Sequence, residues 1–113
     1  MARSLKILMT REVMEFINNL DTASQKAIIK SVDKVKTGIV RKTFFSKLHG
    51  TEDLWEFRAA SSGLFIRLLA FYDKYEKGLI IVISGFCKKT NKTPKSEIKR
   101  AEARKKRYFF TKQ

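Results

Sequence analysis

Arg58 and Arg67 stand inside otherwise apolar strand patterns, where a guanidinium is costly without a partner. Arg67 lies between Phe65 and Leu69 on one face of its strand. Arg58 lies on the preceding strand, across a Ser61-Ser62-Gly63 turn signal. A hairpin centred near Ser62 sets residue 58 opposite residue 66 or 67. Facing guanidinium groups repel, and a fold tolerates them when an anion lies between. Lys88 and Lys89 emerge at the end of the next strand and could close a cationic concavity around a phosphate. The competing reading pairs the arginines with Glu56, Asp53 or Glu52 as structural ion pairs.

Proton-transfer groups are scarce. His49 is the one histidine and a candidate general acid or base, but one imidazole cannot be both acid and base in a two-histidine RNA cleavage; its plain reading is an exposed turn residue. Cys87 has positive neighbours that could lower its pKa, against a packing role at a strand end. With a single Cys and a single His, neither an internal disulfide nor a metal-ligand cluster is expected, and no cofactor. Trp55 and Phe57 read as core, with base stacking by Trp55 as the lesser reading.

The elements that must position these groups follow from periodicity. Leu5 to Met9 is a short apolar run, read as an edge strand. Thr10 is an N-cap for a helix with Val13, Phe16, Ile17 and Leu20 at helical spacing. Thr22 and Gln25 form a capping box for a second helix, with Ala27, Ile28, Val32 and Val35 on one face and Gly38 as its stop. Residues 54 to 59 alternate, with Trp55, Phe57 and Ala59 on one face and Leu54, Glu56 and Arg58 on the other. Leu64 to Tyr72 follows as a strand, then Leu79 to Ile83 as a central one, broken by Ser84-Gly85-Phe86. Short turns imply an antiparallel meander. A basic loop, Lys88 to Lys92, leads to Thr93 as N-cap, Pro94 at N1 and a helix from Lys95 to Arg107. Its apolar stripe, Ile98, Ala101 and Tyr108, is thin, so weak attachment and mobility are expected. Tyr108-Phe109-Phe110 either folds back on the sheet or forms a contact surface. The fold class is α+β: an N-terminal helical pair on a curved antiparallel sheet of three or four strands, with a C-terminal helix.

The 113 residues carry 25 Lys+Arg against 11 Asp+Glu, a net charge of +14 and a pI near 10.2. This length fits one domain over residues 1–113, and 43% hydrophobic residues exclude a wholly disordered basic tail. The charge is uneven: residues 86–113 hold 11 Lys+Arg against Glu97 and Glu102, so the last quarter alone has a net charge of +9. Such clustering is the footprint of phosphate binding, while its bland reading is a solvated helix face and tail. Apolar runs are too short to span a bilayer, and the first residues show no secretory pattern. A reducing cytoplasm is the expected compartment, without membrane contact.

Taken together, Leu54-Trp55-Glu56-Phe57-Arg58, Gly63-Leu64-Phe65-Ile66-Arg67 and Gly85-Phe86-Cys87-Lys88-Lys89-Thr90-Asn91-Lys92-Thr93-Pro94, followed by Glu97-Ile98 and Ala101, resemble the phage Gp49-like, HigB-type toxins of the RelE superfamily. The resemblance covers roughly residues 44 to 105 and is most specific in the strand-end segment. It implies the toxin of a type II toxin–antitoxin pair, a ribosome-dependent mRNA endoribonuclease that cuts in the A site. The RNA 2′-OH attacks the adjacent phosphate and leaves a 2′,3′-cyclic end. By position, Arg67 would face the scissile phosphate, with Arg58 and Lys88 or Lys89 assisting. The family's lysine-rich strand position falls on Glu56 here, which leaves Lys47, His49 and Tyr108 as acid and base candidates. Lys92, Lys95, Lys99, Arg100 and Arg104, in the basic helix and tail of about 94–113, would bind RNA. The implied partners are an antitoxin, expected to be a helix-turn-helix protein, in a heteromeric complex, and the ribosome with its mRNA. The alternative is a non-catalytic basic nucleic-acid- or ribosome-binding regulatory protein.

Overall fold

The computed structural model describes residues 5–90 and 92–112; the first four residues, Asn91 of the expected basic loop and Gln113 lie outside the described residues. The elements are β1 (Lys6–Met9), α1 (Arg11–Asn18), α2 (Thr22–Lys36), β2 (Phe45–Lys47), β3 (Trp55–Ser61), β4 (Leu64–Tyr72), β5 (Leu79–Lys88) and α3 (Lys95–Lys112). They form the expected α+β fold, but the sheet has five strands in the order β1-β5-β4-β3-β2 and is mixed. Its departure from a pure meander is β1, which adds to β5 in parallel, Lys6 opposite Leu79 and Met9 opposite Val82. The sequence pattern placed β1 at an edge but carries no signal for which strand it joins.

Thr10 caps α1 as expected, its Oγ1 accepting from Val13 N at 3.3 Å. The cap of α2 is Asp21 rather than Thr22: its carboxylate accepts from Ser24 N, and Gln25 instead donates to the carbonyls of Asn18 and Leu20. A carboxylate one residue earlier is the stronger acceptor for the helix's first amides and its positive end. Asp21 also accepts from Ser62 Oγ at 3.0 Å, which ties the β3–β4 turn to the start of α2. That turn is a two-residue loop, Ser62 and Gly63 at φ 54° and 75°, and this primed geometry suits the strands' twist.

Both faces of the sheet are covered. Val13, Ile17, Ile28, Val32 and Val35 of the helical pair meet Phe45, Phe57, Ile66, Leu68, Ile80 and Val82 on one face. Trp55 packs at the margin of this cluster, stacked on Phe45 with centroids 5.1 Å apart. On the other face, Leu54, Leu69, Phe71, Ile81 and Phe86 meet Ala101 and Phe109 of α3.

Two expectations change. Ser84-Gly85-Phe86 does not end β5; Leu69 pairs with Ser84 and Ala70 with Val82, so Ile83 is the extra residue of a bulge and the strand continues to Lys88. Gly85 is there because the Phe16 ring of α1 lies against it: a Cβ would stand 2.4 Å from Phe16 Cδ2. Helix α3 is longer and better held than its thin apolar stripe implied. It runs to Lys112, buries Phe109 against Phe71, and adds polar anchors: Arg104 Nη1 donates to Ile83 O at 2.8 Å and Ser84 Oγ at 3.0 Å, and Lys105 binds Asp53. The Tyr108-Phe109-Phe110 segment thus folds back through Phe109, with Phe110 left exposed.

Gly85→Ala overpacks the α1–β5 contact and is expected to cost about 1–3 kcal/mol. In urea unfolding, Phe16→Leu should recover part of that loss in the double variant while destabilising the parent chain.

Candidate functional site

The site forms where β3, β4 and β5 present one face beyond the end of the α3 core. Arg58 pairs directly with Arg67 across β3 and β4, and Phe65 pairs with Lys88 across β4 and β5. The period-two alternation puts Glu56, Arg58, Phe65, Arg67 and Lys88 on that same face. The register follows from the two-residue turn at Ser62-Gly63, and Lys88 joins only because β5 continues past the bulge.

The carboxylate of Glu56 organises the group. Glu56 and Arg67 are each 2% exposed. Arg58 Nε donates to Glu56 Oε1 at 2.8 Å, and Arg67 Nε lies 3.6 Å from the same oxygen. Glu56 Oε2 accepts from Thr93 Oγ1, so the lead-in to α3 is bound to the cluster. The competing sequence reading, in which Glu56 pairs with the arginines, therefore holds, and the anion between them is this side chain. Arg58 also donates to Lys42 O at 3.1 Å and Arg67 to Ile66 O at 3.1 Å. The backbone beneath is pinned from the other face, where Ser31 Oγ of α2 donates to Arg58 O at 2.8 Å.

Burial pushes the Arg67 guanidinium down from its ordinary pKa, with Glu56 opposing and Arg58 adding; it stays charged. Burial likewise lowers the Lys88 ammonium, again with Glu56 opposing and Arg67 and Arg58 adding. Its Nζ is buried with no hydrogen-bond partner among the described residues, 5.9 Å from the Phe86 ring centroid. Beside the arginines opens a cleft of about 230 Å³, lined by Thr43, Arg58, Ala59, Ala60, Phe65 and Arg67. Such an arrangement can hold an anion and stabilise further negative charge developing on it.

The other sequence candidates stand elsewhere. Lys89 is exposed just past β5. Lys47 pairs with Trp55, three residues along β3 from Arg58, and is exposed; with Lys42, Trp55 and Arg58 it lines a separate cleft of about 630 Å³ at the β2 edge, so Arg58 borders both clefts. His49 is exposed in the turn after β2. Tyr108 donates to Asp73 Oδ2, six residues beyond Arg67 in the direction of β4, or about 20 Å away. Lys92, Lys95, Lys99 and Arg100 are exposed around the start of α3, beside the Thr93–Glu56 bond. Arg104 is turned into the sheet. Burial raises the Cys87 thiol, with Asp21 adding, so its basic neighbours do not activate it; it packs on the helical-pair core. Thr93 is expected from sequence as the N-cap of α3 with Pro94 at N1, but the helix starts at Lys95, Pro94 O accepts from its first amides, and Thr93 Oγ1 is turned to Glu56; Phe65 enters the sequence reading only as a neighbour of Arg67. Phe65 carried the better signal, an apolar residue two positions before Arg67 on its face. Among the described residues there is no cluster of three or more potential metal ligands, and no helix long and apolar enough to cross a membrane.

Two solved structures share this architecture. A mutant of the E. coli toxin RelE in the free state superposes with a TM-score of 0.58 at 19% identity, over 74% of this chain and 82% of that one. The archaeal RelE–RelB complex from Pyrococcus horikoshii OT3 gives 0.54 at 16% identity, over 80% of this chain and 100% of that one. Comparison with curated protein sequences gives no match. The fold is therefore that of the RelE-type toxins. Residues 15–106 match the phage-derived protein Gp49-like family, and the chain belongs to it.

At the cluster, Glu56→Ala leaves a buried guanidinium uncompensated and should cost about 3–5 kcal/mol in urea unfolding, with Glu56→Gln milder because the amide still accepts hydrogen bonds. At the far end, Asp73 is held well below the carboxylate range, first by the Tyr108 hydroxyl and then by the Glu76 and Tyr75 amides and Lys112, against burial. A depressed carboxyl stabilises above its unfolded pKa of about 4 and loses that contribution as pH falls below it. The stability gap between wild type and Asp73→Asn should therefore be full at neutral pH and shrink on acidification, as followed by helical circular dichroism during urea titration.

Proposed function

We propose that the chain is the toxin of a type II toxin–antitoxin pair and cleaves translated mRNA on the ribosome. The observation that carries this reading is the direct Arg58–Arg67 pairing at the mouth of a cleft, with Lys88 behind it and Glu56 fixing both guanidinium groups. Two preoriented guanidiniums match the non-bridging oxygens of a phosphodiester. In-line attack by the RNA 2′-oxygen forms the new P–O bond as its proton passes to water, and the P–O5′ bond breaks as the 5′-oxygen takes a proton from water, leaving a 2′,3′-cyclic phosphate. Arg67 and Arg58 stabilise the charge that accumulates on phosphorus-bound oxygen. Lys88, on the same face with its Nζ buried, adds a third basic group beside the phosphate.

The exposed Lys92, Lys95, Lys99 and Arg100 extend the positive field along the start of α3 and suit a ribosomal RNA surface. This reading places the protein in the cytoplasm as one domain over residues 1–113. It pairs the toxin with an antitoxin, a helix-turn-helix protein, as the archaeal RelE neighbour is paired with RelB. A second reading, a non-catalytic basic protein that occupies RNA or the ribosome, is favoured by one observation: His49 stands exposed in the turn after β2 and Tyr108 is bound to Asp73, both away from the arginine pair.

Induced expression followed by mapping of mRNA 5′ ends separates the two. Cleavage predicts new ends within codons of translated messages, absent from the same RNA incubated without ribosomes. Arg67→Ala should lower the cutting rate roughly 100- to 1,000-fold, the usual loss for one oxyanion donor, with Arg67→Lys intermediate. Growth arrest with intact messages would select the non-catalytic reading.

A further inference from the structure

Phe65 is an aromatic side chain without a place in either apolar core. It sits on the arginine face, two residues before Arg67, and is half-buried. The Arg67 guanidinium carbon lies 5.4 Å from its ring centroid, a cation–π contact that joins the ring to the arginine pair. Directly opposite on β3 stands Ala60, exposed and with only a methyl group to cover the ring. The space left by that small residue is part of the cleft that Thr43, Arg58 and Arg67 also line. A ring kept for packing would be covered by larger neighbours; this one opens into the cleft beside two guanidiniums.

We infer that Phe65 is a stacking platform for a nucleobase, namely the base of the nucleotide whose phosphate lies against Arg58 and Arg67. The inference rests on the reading of that pair as a phosphate site and adds the base subsite to it. Charge complementarity selects the occupant: a polyanion places its phosphates on the arginines, and a single-stranded nucleic acid also brings a flat π-face for the ring. Stacking on phenylalanine accepts every base, so this subsite contributes affinity and orientation rather than a strict sequence code. Fixing the base also restrains the sugar, and with it the direction from which the 2′-oxygen approaches phosphorus.

The test uses the fluorescently labelled full chain and ribosomes programmed with a short mRNA oligonucleotide that carries 2′-deoxyribose at the cleavage position, so that it binds without being cut. Affinity is read by fluorescence anisotropy at one fixed salt concentration. Phe65→Leu keeps an apolar side chain in a strand position outside the cores and should weaken binding about 5- to 150-fold, the range for losing one stacked base. Phe65→Tyr should bind like wild type. When the central nucleotide is abasic, wild type and Phe65→Leu should bind equally. Equal binding of the two to the intact oligonucleotide, with Arg58→Ala still weakening it, overturns the stacking platform and leaves the phosphate site standing. Failure of wild type to bind, or indifference to Arg58→Ala, overturns the phosphate site and the platform with it.

Discussion

Two arginines facing each other in the middle of a sheet repel, and the rest of the molecule is arranged around keeping them there. The buried carboxylate of Glu56 offsets the repulsion: it receives Arg58 and approaches Arg67 through one oxygen, and binds Thr93 through the other. Its second bond extends the constraint beyond the sheet, because Thr93 precedes α3. The arginine face and the start of the C-terminal helix therefore share a hydrogen-bonded carboxylate, and neither can move far without loosening the other.

The two layers over the sheet are held by different physics. The helical pair lies on a continuous apolar surface, with the Phe16 ring pressed on Gly85 and only a few polar ties such as Ser31 to Arg58 O. Helix α3 has a smaller apolar contact and relies on side chains reaching the sheet: Arg104 to Ile83 and Ser84, Lys105 to Asp53, Tyr108 and Lys112 to Asp73. These anchors take cations from a strongly basic helix and make them structural, so its positive charge divides between groups turned inward and the exposed lysines near its start.

Much of this was legible in the residues. Helical spacing from Val13 to Leu20, alternation from Leu54 to Arg58 and the Ser61-Ser62-Gly63 turn signal each follow from local chemistry; they bring Arg58 opposite residue 66 or 67, and the two-residue turn decides for Arg67. What stayed hidden depends on contacts distant in sequence. Nothing local distinguishes the glycine of a strand end from one that makes room for an aromatic ring, so β5 looked five residues shorter than it is. Nothing in a run of basic residues says which will bend back to the sheet or a carboxylate; Arg104 and Lys105 read like their neighbours until Ser84 and Asp53 are beside them. Glu56 was legible as one of three acidic partners, but only the register singles it out from Asp53 and Glu52. Phe65 escaped because apolar residues in strands usually serve the core.

The parallel pairing of β1 with β5 bears on how the chain comes into being. Lys6 must wait for Leu79, and Met9 for Val82. During synthesis from the N-terminus, β1 emerges early and has no strand to join until nearly the whole sheet has been made. Closing so long a loop is entropically costly and slow, since the contact gives nothing back until the intervening elements are in place. The same delay governs Lys88, the last residue of β5 and the third cation of the cluster. A nascent chain therefore lacks the complete site until translation has passed its own final strand.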